Sequence, residues 1–378
     1  NHLDTAVAKV AAEAGAGGIF LTDDDAIEIG KVAAVDYTRV QSSGSVLNFS
    51  DAVLDGLLTQ AGDAAIVAET LNGSLTVTER ILADGAGNLR LAAGGPNNSV
   101  FVAAGVTSPD GHITVVGEMD VDQSGSGMLE ALNGTIDVQA INGSINMGDG
   151  TTATTAGGAI LYQAQVDVTL GRLDAGAGVI SVKAATGFIK DSGDPDTGAA
   201  GVDVFAASLR MTAGIGIGMF DPIDTAVMTI AARAGEGGIS IIESDDVIVG
   251  AVSGVQVNRV DSTGVSGLHP AAAAADLEGL STIAGDANIG LLTLDGDLTV
   301  DDAVIASGSG NILLQSRSGG VVNDKDIQLN APVISGSGNI SVIGNGMVTQ
   351  AVAGDISTGG EGTIDVSAQN GSISMMDD

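Results

Sequence analysis

Residues 235–260 read GEGGISIIESDDVIVGAVSGVQVNRV, and residues 15–40 read GAGGIFLTDDDAIEIGKVAAVDYTRV. Widened to 231–260 against 11–40, the two segments align without a gap, with thirteen of thirty positions identical. Glycines and aliphatics are kept while most polar letters change. A structural repeat behaves this way, because geometry fixes its corners and core and leaves its surface free. The match continues in both directions. Asp4–Val7 (DTAV) recurs at Asp224–Val227, and NGSLTV from Asn72 becomes DGDLTV from Asp295. DGHITV from Asp110 becomes SGNISV from Ser337, which sets His112 against Asn339. GTIDVQAINGSINM from Gly134 becomes GTIDVSAQNGSISM from Gly362, so the offset widens from 220 to 228 residues. Residues 151–220 occur once. The organisation this implies is a first long repeat over 1–220 and a second, incomplete one over 221–378, continuous with it. The chain opens at Asn1 without a Met, which reads as a processed or excised piece of a longer array.

A shorter rhythm lies inside each repeat. Gly and Asn turn signals precede apolar–polar–apolar triplets, as in GNLRL, GHITV, NGTIDV, GVISV and GNISV. Alternation at period two between such signals marks very short strands, and Gly and Asn supply sharp corners. Gly134 to Gly143 and Gly178 to Gly187 are nine residues apart, and other pairs about 20–24. This spacing suits three short strands per turn of an all-β parallel β-solenoid. About 15–18 turns would give a rod of ~70–90 Å. With no Trp, two Tyr and six Phe, the interior must be aliphatic and thin. Tandem sandwiches would repeat near ~100 residues and propellers near ~40–50, both with recurrent aromatics. One stretch breaks the rhythm in both repeats. NFSDAVLDGLLTQAG has Ser50 placed to cap a helix, and LHPAAAAADLEGLSTIAG has Pro270 to open one and Gly285 to close it. A short helix on the flank of the coil is expected in each repeat.

Val166–Asp191 (VDVTLGRLDAGAGVISVKAATGFIKD) and 47–77 (LNFSDAVLDGLLTQAGDAAIVAETLNGSLTV) resemble the filamentous-haemagglutinin-like large exoproteins and giant bacterial adhesins. The resemblance covers nearly the whole chain, and its degenerate motifs specify a fold more than a function. It implies a right-handed parallel β-helix (β-solenoid) in a secreted or surface-displayed bacterial protein, often built of many repeats.

Chemistry is sparse. The net charge is −34, from 47 acidic and 13 basic residues. Nucleic acid and anionic membrane surfaces are therefore poor partners, since both require a basic face. No apolar run approaches the length of a membrane span. The absence of cysteine removes disulfides, thiolate catalysis and thiolate zinc sites. His2, His112 and His269 are scattered and read as surface residues. The acidic runs at Asp23–Asp25 and at Asp245 and Asp246 could suggest the carboxylate pair of a glycosidase or lyase. Neighbouring Asp residues on one strand face opposite ways, so solvated turns fit better. In KDSGDPDTGAAGVD, Asp191, Asp194 and Asp196 precede Gly198 with the alternate spacing of oxygen ligands in a calcium loop. No Glu stands at the closing position of an EF-hand, and a plain turn is the competing reading.

The expectation is a protein without catalytic residues or cofactor beyond that calcium candidate. It would be a structural repeat of a giant extracellular or cell-surface protein, forming a fibre, shaft or adhesin stalk. Its partners would be neighbouring repeats or identical chains end to end. A glycan- or protein-binding adhesin module is the alternative, and a polysaccharide-degrading β-helix enzyme a more distant one.

Overall fold

The computed structural model describes residues 2–193, 201–269, 275–320 and 324–376. Within them the chain is all-β, dominated by one parallel sheet of 40 strands. Each strand bonds to its counterparts one turn before and one turn after. Ile66–Thr70, Leu89–Ala93, Ile113–Gly117, Ile136–Ala140, Ile160–Ala164 and Val179–Ala184 pair in succession, residue on residue. Inward positions therefore stack like on like, in ladders such as Ile66, Leu89, Ile113, Ile136, Ile160 and Ile180. One aliphatic cluster runs from Ile19 to Val348. This is the β-solenoid expected from the period-two alternation.

Fourteen strands follow one another along one row, from Leu3–Thr5 to Ile356–Thr358. At about 4.8 Å per step the coil is about 60 Å long. It is shorter than the sequence suggests because the hairpins formed by residues 31–55 and by 251–269 with 275–278 leave it. The long strands Val204–Ala213 and Ile223–Ala234 each straighten a corner and belong to two rows at once. The row of Ile19–Asp23 and Ile66–Thr70 thus continues into Leu280–Thr282, while the second repeat's equivalents, Gly238–Glu243 and Ile289–Thr293, lie in the next row. The two repeats are offset by one row around the axis.

Corner glycines are set by stacking. A Cβ on Gly111, Gly134 or Gly158 would lie 2.5, 1.8 or 1.7 Å from the carbonyl oxygen of Gly87, Gly111 or Gly134, one turn below. Only hydrogen fits there.

The expected flanking helices are not present among the described residues. Val46–Ser50 and Leu54–Asp55 are hairpin strands, and Leu57–Thr59 is a coil strand with Leu57 and Thr59 inward. In the second repeat Leu277–Glu278 and Leu280–Thr282 repeat this pattern; residues 270–274, with Pro270, lie outside the described residues. The reason is geometric. Gly56 and Gly279 have φ of 70° and 60°, with the carbonyl oxygens of Arg80 and Ala303 about 2 Å from where a Cβ would sit. That kink returns the chain to the coil, and burial of Leu57 over Ile81 outweighs helix propensity.

Each hairpin is an arm. In the first, Lys31–Val32 pairs with Leu54–Asp55 and Asp36–Val40 with Val46–Ser50. In the second, Ala251–Val252 pairs with Leu277–Glu278 and Asn258–Val260 with Ser266–Leu268.

Candidate functional site

The second arm folds back over the first repeat and makes an extended polar contact with it. It starts where Val252 and Leu277 cover Ala231. Val255 and Val257 then bury against Leu161, with Ala159 and Val179 beside them. Further along, Arg259 grips the fully buried carboxylate of Asp137 with two bonds, Nε to Oδ2 at 2.6 Å and Nη2 to Oδ1 at 3.2 Å. The amide of Asn258 donates to Thr135 Oγ1 and that of Val260 to Thr114 Oγ1, both at 2.9 Å. Arg90, itself paired with Glu69, donates to the carbonyl of Val260, and Asn88 to that of Gly264. The tip rests on Phe20 and Ala65, and His2 Nε2 lies 2.6 Å from the carbonyl oxygen of Ser262. Asp261 Oδ1 ties the tip by accepting from the amides of Thr263 and Val265.

His112 lies at the centre of this strip, half-buried. The Thr135 amide donates to Nδ1 at 3.0 Å, and Nε2 lies 2.9 Å from the side-chain amide of Asn258. In the second repeat an asparagine ladder fills the same corner. Asn288, Asn311 and Asn339 each accept, through Oδ1, the amide of the next rung. His112 therefore takes an asparagine's place, its Nδ1 acting as the acceptor. Burial lowers its basicity. His269 on the arm is lowered too, by burial and then by neighbouring Arg259, with Asp137 opposing. The sequence reading of both as surface residues is corrected here: they face each other's elements across the arm contact. Retention of Arg39 and Val40 as Arg259 and Val260 was the available signal.

A second repeated device lies at the acidic turns. Asp23 is buried, not solvated as expected. Burial pushes its carboxyl up, but the Thr5 hydroxyl and the amides of Val7 and Asp25 outweigh this and hold it below its ordinary value. Its counterpart is Glu243, which accepts from Thr225, Val227 and Asp245. Burial pushes Glu243 up to about 8 against those same bonds. Each carboxyl closes a chain turn. Asp24, Asp25, Asp245 and Asp246 are exposed.

Of the calcium candidate, Asp194 and Asp196 lie outside the described residues. Asp191 ends the strand Ile189–Asp191, and its carboxylate oxygens are buried. Among the described residues no three His, Asp or Glu side chains converge as a metal site, and no helix is long and apolar enough to cross a membrane. No family model, curated protein or solved structure matches the chain.

Proposed function

We propose that this chain is a structural repeat segment of a large extracellular or cell-surface β-solenoid, acting as a fibre, shaft or adhesin stalk. The observation that carries this reading is the unbroken aliphatic core from Ile19 to Val348, which crosses the boundary between the two repeats without a seam. Stacked backbone bonds give such a column length and stiffness, and its stability grows by addition of turns. The repeat resembles those of filamentous-haemagglutinin-like exoproteins, which supports an exported setting. A charge of −34 keeps an aliphatic column hydrated and opposes lateral clumping. It also favours cations and basic partners over anionic ones. In this reading the arm acts as a clasp, tying one repeat to the one before it through Arg259 and Asp137. Electron microscopy of the native material tests the proposal. Long thin rods with a regular axial repeat are expected; isolated short particles would contradict it.

A further inference from the structure

The two arms have nearly the same design and opposite fates. Val255, Val257 and Val260 of the second arm are 5%, 0% and 0% exposed, whereas their counterparts Val35, Tyr37 and Val40 are 56%, 38% and 69% exposed. Every residue from 33 to 53 is exposed. Tyr37 and Phe49 stack on each other with ring centroids 5.4 Å apart, and Arg39 lies over Phe49 instead of over a carboxylate. The first arm thus presents an aromatic and aliphatic face with one central cation.

The complementary surface is on the second repeat. The strip covered by the second arm runs over Ala65, Asn88, Arg90, His112 and Thr114 to Asp137. Its equivalents along the sequence repeat are Asn288, Asn311, Leu313, Asn339 and Ser341, ending at Asp365. The first five of these line an open groove of about 560 Å³. Asp365 lies one strand beyond, on Ile364–Ala368, and is exposed where Asp137 is buried. Thr363 and Ser341 supply the hydroxyls that Thr135 and Thr114 supply under the second arm. Leu313 replaces Arg90, and Phe49 replaces His269, so groove and arm both become more apolar.

We infer that the groove over Asn288–Ser341 and Asp365 is a docking site for the first arm, residues 33–53, of a second copy of this chain, with Arg39 of that copy paired to Asp365. The inference deepens the structural reading and rests on it. Continuity with the contact already made inside the chain identifies the occupant. The same kind of hairpin, with the same Arg-Val pair, already lies on the equivalent strip.

The test is sedimentation velocity of the intact chain over a concentration series, with charge-reversal variants. The chain should self-associate. Arg39→Asp and Asp365→Arg should each weaken association by about tenfold or more, and the double variant should recover it. Because the chain has no cysteine, Val40→Cys in one preparation and Ser341→Cys in another should form a disulfide-linked heterodimer on mixing. A chain that stays monomeric, or association indifferent to Arg39 and Asp365, would overturn the docking inference. Inter-turn distances from pulsed electron paramagnetic resonance on spin-labelled cysteine pairs separate this from failure of the rod itself, because a monomeric chain can still be a regular coil.

Discussion

At the scale of single residues, the interior is apolar with a few polar exceptions, and those exceptions set the specific predictions. Tyr162 is fully buried, and its hydroxyl donates to Gln123 Oε1 at 2.6 Å inside the aliphatic core. Tyr162→Phe removes the donor and leaves a buried acceptor unsatisfied, at a cost of about 1–3 kcal/mol. Urea unfolding should show the loss without a change in slope. Glu243 gives a pH signature. The folded group keeps its proton to about 8, whereas the unfolded group releases it near 4.5. Its contribution is therefore fully present below pH 4.5 and is lost as pH rises through about 8. Glu243→Gln should flatten that decline in thermal midpoint between pH 5 and 9; an unchanged slope would contradict the assignment. These residues were not legible in the sequence. Tyr162 and Gln123 are 39 positions apart, and only coil stacking brings them together. Asp23 and Glu243 did stand at matching repeat positions, but Asp23 lies inside an acidic run that reads as a solvated turn, and Glu243 lies next to another. Corner glycines and inward aliphatics were legible, because each needs only its immediate neighbours to identify it.

Secondary-structure elements were partly legible. Short strands followed directly from the alternation between Gly and Asn corners. The arms did not, because Asn48–Gly62 carries helix-capping residues and several good helix formers. Its true periodicity shows only in Leu57 and Thr59, which alternate inward. That the stretch recurs at the same place in each repeat was visible, and this recurrence is what identifies it as a built feature. The second arm leads to a prediction of its own. Arg259→Ala would leave the buried Asp137 carboxylate without its partner and should weaken arm docking by about 2–5 kcal/mol. Hydrogen exchange at the amides of Asn258 and Val260 would then accelerate while exchange in the coil strands stays slow. Acid should act in the same direction. His112 and His269 both bind protons less readily with the arm seated. Their contribution is thus present above pH 6.5 and lost as pH falls below it. Exchange at those two amides, corrected for its intrinsic pH dependence, should rise relative to the coil between pH 7 and 5. Equal protection at both pH values would contradict this.

For the whole molecule, the internal repeat was the strongest signal and led directly to the architecture. The coil has fewer turns than the glycine spacing predicts because both arms leave it, and the offset of one row between repeats depends on two strands that straighten a corner. Neither leaves a mark in local pattern. The described strands outside the two arms stack as one regular column, in which each successive strand pairing adds one axial step. Pulsed electron paramagnetic resonance on spin-labelled cysteine pairs tests this most directly in a chain without native cysteine. Thr76, Lys190, Leu313 and Asp365 occupy outward positions in one row, with Lys190, Leu313 and Asp365 lying 5, 9 and 11 steps from Thr76 through successive strand pairings. Distances from Thr76 should rise linearly, to about 24, 43 and 53 Å. Distances that level off, or that fall out of order, would show separate compact units in place of a single coil.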